Sequence, residues 1–293
     1  MDSLSLKEND IKAEQGGKRL VFSTLFSGSS GNCTYIRYGE DEILIDAGKS
    51  YGAICKKLAS LGSSIDNIKA IFITHEHSDH TAALKVMLKK RSIPVYIHRS
   101  CCWEMTDIHD CFRTFQGNFT EKVGDMEIEG FYTPHDSMQS LGYTVKCGNI
   151  YIGVATDMGM VAKNVVRSLA GCKAVLIEAN YDDVMLKSGP YPPQLKRRVA
   201  SDRGHLSNDD SALLAAVLAN AGTGHIALGH LSLENNMPDI ALGRVKKELE
   251  QRGLKACVSV ADRNETTVII DEVILDDECK YNMPRNSEGA ISS

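Results

Sequence analysis

The residues best equipped to do chemistry lie in one short run, His75-Glu76-His77-Ser78-Asp79-His80. Neutral imidazole and carboxylate are the ligands that borderline divalent ions such as Zn²⁺ and Mn²⁺ prefer. His75, His77, Asp79 and His80 are close enough in the chain to serve two ions rather than one. Two ions roughly 3.5–4 Å apart form a clamp suited to hydrolysing phosphate esters. Ile71-Phe72-Ile73 before the run reads as the end of a buried strand, and Thr81 to Leu88 after it has helical spacing. The ligands therefore sit in a loop at the carboxyl end of a strand, where open α/β sheets bind their ligands.

Two other stretches carry candidate chemistry. Lys187, Lys196, Arg197, Arg198 and Arg203 gather positive charge in a chain of net charge −5. That is the local patch that binding a polyanion requires, and it reads equally well as the solvated face of a helix. His205 follows the patch and precedes a helix whose cap is Ser207-Asn208-Asp209-Asp210 and whose body runs from Ser211 to Asn220. A histidine so placed stands by a helix N-terminus, a natural anion site. Ser27-Gly28-Ser29-Ser30-Gly31-Asn32 is a small-residue loop whose free N–H groups could hold a phosphate, although composition alone favours a plain hairpin turn.

The 293 residues, 43% hydrophobic and 24% charged, suffice for one large α/β domain with a sizeable core. We expect a flexible leader over 1–18, one domain over 19–275 and a flexible tail over 276–293. Nine scattered cysteines without a Cys-x-x-Cys fit a reducing cytosol better than a disulfide framework. The first residues lack the apolar stretch of a signal peptide, and no run approaches a membrane span. The expected location is cytoplasmic.

Strands are expected at Leu20 to Phe26, Thr34 to Tyr38, Ile43 to Ile45, Lys69 to Thr74 and Pro94 to Ile97. A second set covers Phe119 to Val123, Met126 to Thr133, Leu141 to Lys146, Ile150 to Val154 and Ala174 to Glu178, with closing strands at Lys255 to Val260 and Thr266 to Ile270. Helices are expected at Ala53 to Leu61, Val161 to Leu169 and Pro238 to Gln251, with a helical turn from Ser100 to Met105. Trp103 reads as a packing anchor, and His98 and His109 as surface or packing residues.

The histidine run resembles the signature of the metallo-β-lactamase superfamily, and further landmarks occur in that family's order. Asp46 closes Ile43-Leu44-Ile45-Asp46, His135 follows Thr133-Pro134, Asp157 follows Ile152 to Thr156, and His230 follows His225 to Gly229. The loop 27–32, the stretch Ser188-Gly189-Pro190-Tyr191-Pro192 with Leu195-Lys196-Arg197-Arg198, and Gly204-His205-Leu206-Ser207-Asn208 look like the YycJ/WalJ branch, whose members are linked to DNA exonuclease activity. The resemblance implies an αββα sandwich, two packed mixed sheets with helices on both outer faces. It implies two divalent ions, zinc or manganese, one held by His75, His77 and His135, the other by Asp79, His80 and His230, with Asp157 bridging.

Asp79, His205 and Asp46 are the expected catalytic residues, Asp46 by orienting a ligand and His205 by binding phosphate or protonating the leaving oxygen. Ser29, Ser30, Asn32, Lys196, Arg197, Arg198, Arg203 and His205 are the expected substrate contacts. The branch usually has a histidine where this chain has Tyr181. The leading reading is a phosphodiesterase on nucleic acid, a DNA exonuclease, with no membrane partner and a homodimer left open. A hydrolase of small esters, thioesters or cyclic phosphates would use the same site, and a metal-stabilised adaptor is the non-catalytic alternative. The stretch between Asp157 and His230 is too short for the large inserted cap of RNase J-type enzymes.

Overall fold

The computed structural model describes residues 16–102 and 110–275. Most of the expected leader, the expected tail, Trp103 and His109 lie outside the described residues. Lys18, placed in the leader by sequence, opens the first strand.

β1 (Lys18–Phe26), β2 (Cys33–Tyr38), β3 (Asp41–Ile45), β4 (Ile68–Phe72), β5 (Val95–His98) and β6 (Phe112–Phe115) lie side by side in that order. β7 (Phe119–Val123), β8 (Met126–Thr133), β9 (Ser140–Cys147), β10 (Ile150–Ala155), β11 (Ala174–Glu178), β12 (His225–Gly229) and β13 (Cys257–Val260) form a second sheet, again in chain order. β14 (Thr267–Ile274) returns to pair antiparallel with β1, so each sheet has seven strands. In both, antiparallel pairing gives way to parallel pairing, at β3 in the first and at β10 in the second.

The helices are α1 (Tyr51–Ser60), α2 (Ser78–Thr81), α3 (Leu84–Lys90), α4 (Lys163–Leu169), α5 (Asp183–Ser188), α6 (Pro193–Val199), α7 (Asn208–Asn220) and α8 (Pro238–Gln251). Side-chain alternation sorts the residues into layers. Ile43 and Ile45 of β3 and Leu176 of β11 meet in the core between the sheets, with Phe72 and Tyr143. Leu44 faces outward to Ile54 and Leu58 of α1 and Met87 of α3. Val175 and Ile177 face outward to Leu169 of α4, Leu214 and Leu218 of α7 and Val245 of α8. This is the expected αββα sandwich. Each central aliphatic side chain contributes about 1.5–3 kcal/mol by burial.

Three local readings change. The helix expected over Thr81 to Leu88 is two, α2 and α3. The Ala47 N–H donates to the His80 carbonyl and the Ala83 N–H to the Ala47 carbonyl, which interrupts the helical ladder between them. Gly48 permits this approach, since a Cβ there would lie 1.6 Å from the Asp79 carbonyl oxygen. β6 was not expected, because its four residues place Arg113 and Thr114 between two phenylalanines at a sheet edge. α5 was not expected, and α6 only as the alternative reading of the basic segment as a helix face. Each is under two turns, and they rest on a small cluster of their own, Tyr181, Leu186 and Val199 with Tyr191 and Leu195 against it.

Candidate metal centre and active site

The site forms where strand ends from both sheets meet. Asp46 follows β3, His75 to His80 follow β4, His135 follows β8, Asp157 follows β10, Glu178 ends β11 and His230 follows β12. Asp46, Asp157 and His230 take left-handed backbone conformations, with φ of 63°, 57° and 55°, and no other non-glycine residue described does so. Each such residue costs on the order of 1–3 kcal/mol and persists only where surrounding structure holds it. At Asp157 the turn sets the side chain beside His80 and His230, and at Asp46 it sets it against His80 and Thr74.

All seven expected ligands converge. The ligand atoms of His75, His77 and His135 lie within 4.8 Å of one another, as do those of Asp79, His80 and His230. Asp157 stands between the groups, 3.4 Å from His80 Nε2, 3.4 Å from His230 Nε2 and 3.9 Å from His135 Nε2. Asp157 Oδ2 and His230 Nε2 are buried with no hydrogen-bond partner among the described residues. Two buried polar atoms without partners inside this cluster fit a cation there, since burial without a partner is costly. The field agrees. Burial opposes charge on His80, yet the Asp46 and Asp157 carboxylates outweigh it and push the ring up to about 9. Burial likewise opposes charge on Asp157, and His230, His80 and His75 hold its carboxyl well below the usual range. Burial and the neighbouring His80 keep His75 neutral, the form that ligates.

Behind the ligands stand two buried carboxylates. Asp46 accepts from His80 Nδ1 at 2.7 Å and from the Thr74 N–H at 2.9 Å, while Thr74 Oγ1 lies 3.0 Å from His75 Nδ1. Its contacts are to His80 and Thr74, an arrangement that would position the His80 ring. Glu178, fully buried, lies 3.1 Å from His230 Nδ1 and 2.7 Å from His205 Nδ1. Glu178 was not among the expected site residues, although Ala174 to Glu178 ends in an acid just as Ile43 to Asp46 does. Asn180, whose amide donates to the His230 carbonyl at 2.8 Å, carried no such signal. His135 is fixed by donating from Nδ1 to the Gly204 carbonyl at 3.0 Å.

His205 is brought to the centre, its ring 5.1 Å from His135 and 5.2 Å from His230. Its surroundings are not those of a helix N-terminus. Ser207 caps α7 by accepting from the Asp210 N–H, and His205 is governed by Glu178 instead. Burial opposes its charge, and the Glu178 carboxylate overcomes this and raises its pKa. The Tyr181 side chain is buried with Leu186 and Val199.

The expected substrate contacts divide. Ser29, Arg198 and His205 line a cavity of about 150 Å³ beside the centre. Ser30 accepts from Lys49 at 2.9 Å. Asn32 lies under the ligands, its amide nitrogen 3.1 Å from His80 Nε2. The Gly28 and Gly31 N–H groups are engaged by Asn32 Oδ1 and the Gly28 carbonyl, so they are not the free donors expected of this loop. Arg198 and Arg203 both reach the loop at 135–137, and Lys196 turns to Lys187. Lys196 donates to the Lys187 carbonyl, Arg197 is exposed, Arg198 pairs with Asp136, and Arg203 donates twice to the His135 carbonyl, at 3.0 and 2.8 Å.

Residues 27–133 match the family described as the metallo-beta-lactamase superfamily. The chain is 36% identical over 239 residues to exodeoxyribonuclease YycJ of Bacillus anthracis, spanning 80% of this chain and 90% of that protein. It is 34% identical over 240 residues to exodeoxyribonuclease WalJ of Streptococcus pneumoniae serotype 2 (strain D39 / NCTC 7466), spanning 80% and 89%. The metallo-beta-lactamase fold protein YhfI from Bacillus subtilis shares the fold, with a TM-score of 0.66 at 16% identity over 86% of this chain and 99% of that one. No helix among the described residues is long and apolar enough to cross a membrane. With histidines and aspartates that could hold metal gathered at the strand ends of an αββα sandwich, the chain belongs to the metallo-β-lactamase superfamily, on the branch of YycJ and WalJ.

Proposed function

We propose that this protein is a metal-dependent exodeoxyribonuclease, a phosphodiesterase that shortens DNA from an end. The observation that carries the reading is the convergence of two ligand groups on Asp157, with the unpartnered Asp157 Oδ2 and His230 Nε2 facing the centre. His75, His77 and His135 would hold one divalent ion, and Asp79, His80 and His230 a second, zinc or manganese, with Asp157 shared. Ions held there would lower the pKa of water toward about 7 and offset charge on phosphoryl oxygens.

The chain's own groups do the rest. Asp46 keeps His80 in one orientation and tautomer, and Glu178 does the same for His230. His205 has Nδ1 tied to Glu178, which leaves Nε2 for a group in the cavity and favours the protonated ring, the form that protonates a leaving oxygen. Arg198 supplies positive charge at the cavity wall in a chain that is acidic overall. The eight cysteines described are free, in keeping with a reducing cytosol, where we place the protein.

The test offers metal-loaded protein end-labelled DNA, end-labelled RNA and bis(p-nitrophenyl) phosphate. DNA should be shortened from an end, and a chelator should abolish this until zinc or manganese is restored. Faster digestion of RNA, or hydrolysis confined to the small diester, would sink the reading.

A further inference from the structure

Charge is segregated between the two helical layers. α1 and α3 cover the outer face of the first sheet and contain five lysines, Lys56, Lys57, Lys85, Lys89 and Lys90, with no acidic residue. α4, α7 and α8 cover the second sheet and balance five cations with five acids. The whole chain carries −5, so a layer this basic is a local departure from its composition. Lys56, Lys85, Lys89 and Lys90 are exposed. Lys57 is more covered and meets Glu265. Lys90 Nζ lies 4.7 Å from the centre of the Tyr51 ring, which joins the end of α3 to the start of α1 in one surface.

Helix stability does not call for this arrangement. Lys89 and Lys90 stand in the last turn of α3, where a cation complements the helix dipole, but Lys85 stands in the first turn, where the dipole opposes it. Lys85 and Lys89 are also four residues apart on one side of the helix and repel each other. The position of the layer is an independent observation. α1 starts five residues beyond Asp46, and α3 starts four beyond His80. The Ala83 N–H donates to the Ala47 carbonyl, which ties the start of α3 to the turn after Asp46. Lys49, just before α1, donates to Ser30 Oγ at 2.9 Å. The basic surface therefore begins at the rim of the candidate metal centre.

We propose that the outer face of α1 and α3 binds the phosphate backbone of the DNA strand beyond the metal centre. The inference rests on the exonuclease reading above and names the surface that holds the undigested part of the substrate. Lysine ammonium groups meet phosphates as point charges and read no base edge. Lys85 to Lys89 covers about 6 Å of helix, the length of about two nucleotides at 3.4 Å each, so the surface takes several phosphates together. Contacts of this kind let a protein slide along DNA, which suits an enzyme whose substrate shortens at every step.

Lys56→Ala, Lys85→Ala and Lys89→Ala combined remove three charges from exposed positions of this layer. Lys163→Ala, Lys246→Ala and Lys247→Ala combined remove three from exposed positions of the other layer and serve as the control. Binding of labelled single-stranded DNA to metal-loaded protein is followed by fluorescence anisotropy over a range of salt, with phosphorothioate linkages to resist hydrolysis. The first variant should bind about tenfold more weakly at low salt, and its salt dependence should be shallower by about three phosphate contacts. On ordinary DNA its KM should rise by a similar factor while kcat holds. The control should bind like the unmodified protein. Circular dichroism and metal content report whether each is folded; should the first variant fail to fold, Lys56→Ala and Lys89→Ala are measured singly, and each should lower the slope by about one contact. Equal losses in the two variants, or none in the first, overturn the proposal. So does a first variant that loses binding to phosphatidylglycerol vesicles while its DNA binding holds, which would assign the surface to a membrane. The expected loss of binding, with no digestion of ordinary DNA by the unmodified protein, would leave the surface standing and refute the exonuclease reading. Digestion with an unchanged KM in the first variant would do the reverse.

Discussion

In the first sheet, pairing changes from antiparallel to parallel at β3, and Asp46 follows. In the second it changes at β10, and Asp157 follows Thr156. Both aspartates take the left-handed conformation. Their uses are opposite. Asp46 turns back onto His80 and Thr74, whereas Asp157 faces the centre between the ligand groups. The next parallel strand reverses the assignment. β4 leads into the proposed ligands His75, His77, Asp79 and His80, and β11 ends in Glu178, which lies against His230. Each half thus supplies one carboxylate behind the ligands and one set in front, from the same two strand ends, with the order exchanged. A switch point fixes where a site can form; the side chain placed there decides what it does.

Putting the same substitution at both switch points tests this division. Asn tolerates the left-handed conformation, so Asp157→Asn and Asp46→Asn both keep the backbone and remove only a charge. Asp157→Asn should lower DNA hydrolysis by about 10³-fold or more, since both ligand groups depend on it. Circular dichroism should show a folded chain, and elemental analysis should show less than the full metal complement. Asp46→Asn should cost about 10–100-fold, the usual loss when a group behind a ligand is removed. Losses of equal size would mean that the two halves are not used differently.

His205 belongs to the second half alone and has no counterpart near Asp46. His205→Ala should keep its metals and lose about 10²-fold or more on DNA, the size of a general-acid contribution. The loss should shrink on bis(p-nitrophenyl) phosphate, whose leaving group needs little protonation. Loss of metal in this variant would make His205 a ligand.

The same comparison explains what could be read from sequence. The first half packs His75, His77, Asp79 and His80 into one loop, so their spacing alone announces metal chemistry. The second half spreads His135, Asp157 and His230 over three strand ends, and no local spacing joins them; only resemblance did. Glu178 was overlooked because a single acid at a strand end is common, and its importance arises only when β12 brings His230 beside it. Central strands such as β3 and β11 were legible because burial on both faces leaves apolar runs, and β8 was legible by alternation, whereas the edge strand β6 was not. α5 was not legible, and α6 only as an alternative, because their stability comes from a cluster assembled across the segment. The basic segment read as one charged face, whereas Arg198 and Arg203 meet the adjoining residues Asp136 and His135.

The positioning carboxylates give a finer contrast. Glu178 serves two rings, His230 and His205, while Asp46 serves one, His80. Glu178→Gln and Asp46→Asn should each cost about 10–100-fold on DNA. Only Glu178→Gln should also show the leaving-group dependence of His205→Ala, with a smaller loss on the nitrophenyl diester than on DNA. Identical substrate profiles for the two variants would mean that Glu178 positions a metal ligand and nothing more.

The smallest expected effect concerns the segment between β11 and α7, which only the second half carries. Two of its arginines look alike in sequence and differ in place. Arg203 donates to the His135 carbonyl, so it holds a ligand loop; Arg197 is exposed. Arg197→Ala should weaken DNA binding by a factor of about two to five on every sequence and make the salt dependence shallower by about one phosphate contact. Hydrolysis of the nitrophenyl diester, which is too short to reach that surface, should change little. Arg203→Ala should behave in the opposite way. By loosening His135 it should lower metal affinity and hydrolysis of both substrates together, with the salt slope unchanged. Titrating binding between low and moderate salt for both variants decides the matter. If Arg203→Ala flattens the slope and spares the diester, both arginines are phosphate contacts, and the second half carries substrate on its whole basic segment and not through Arg197 and the cavity wall alone.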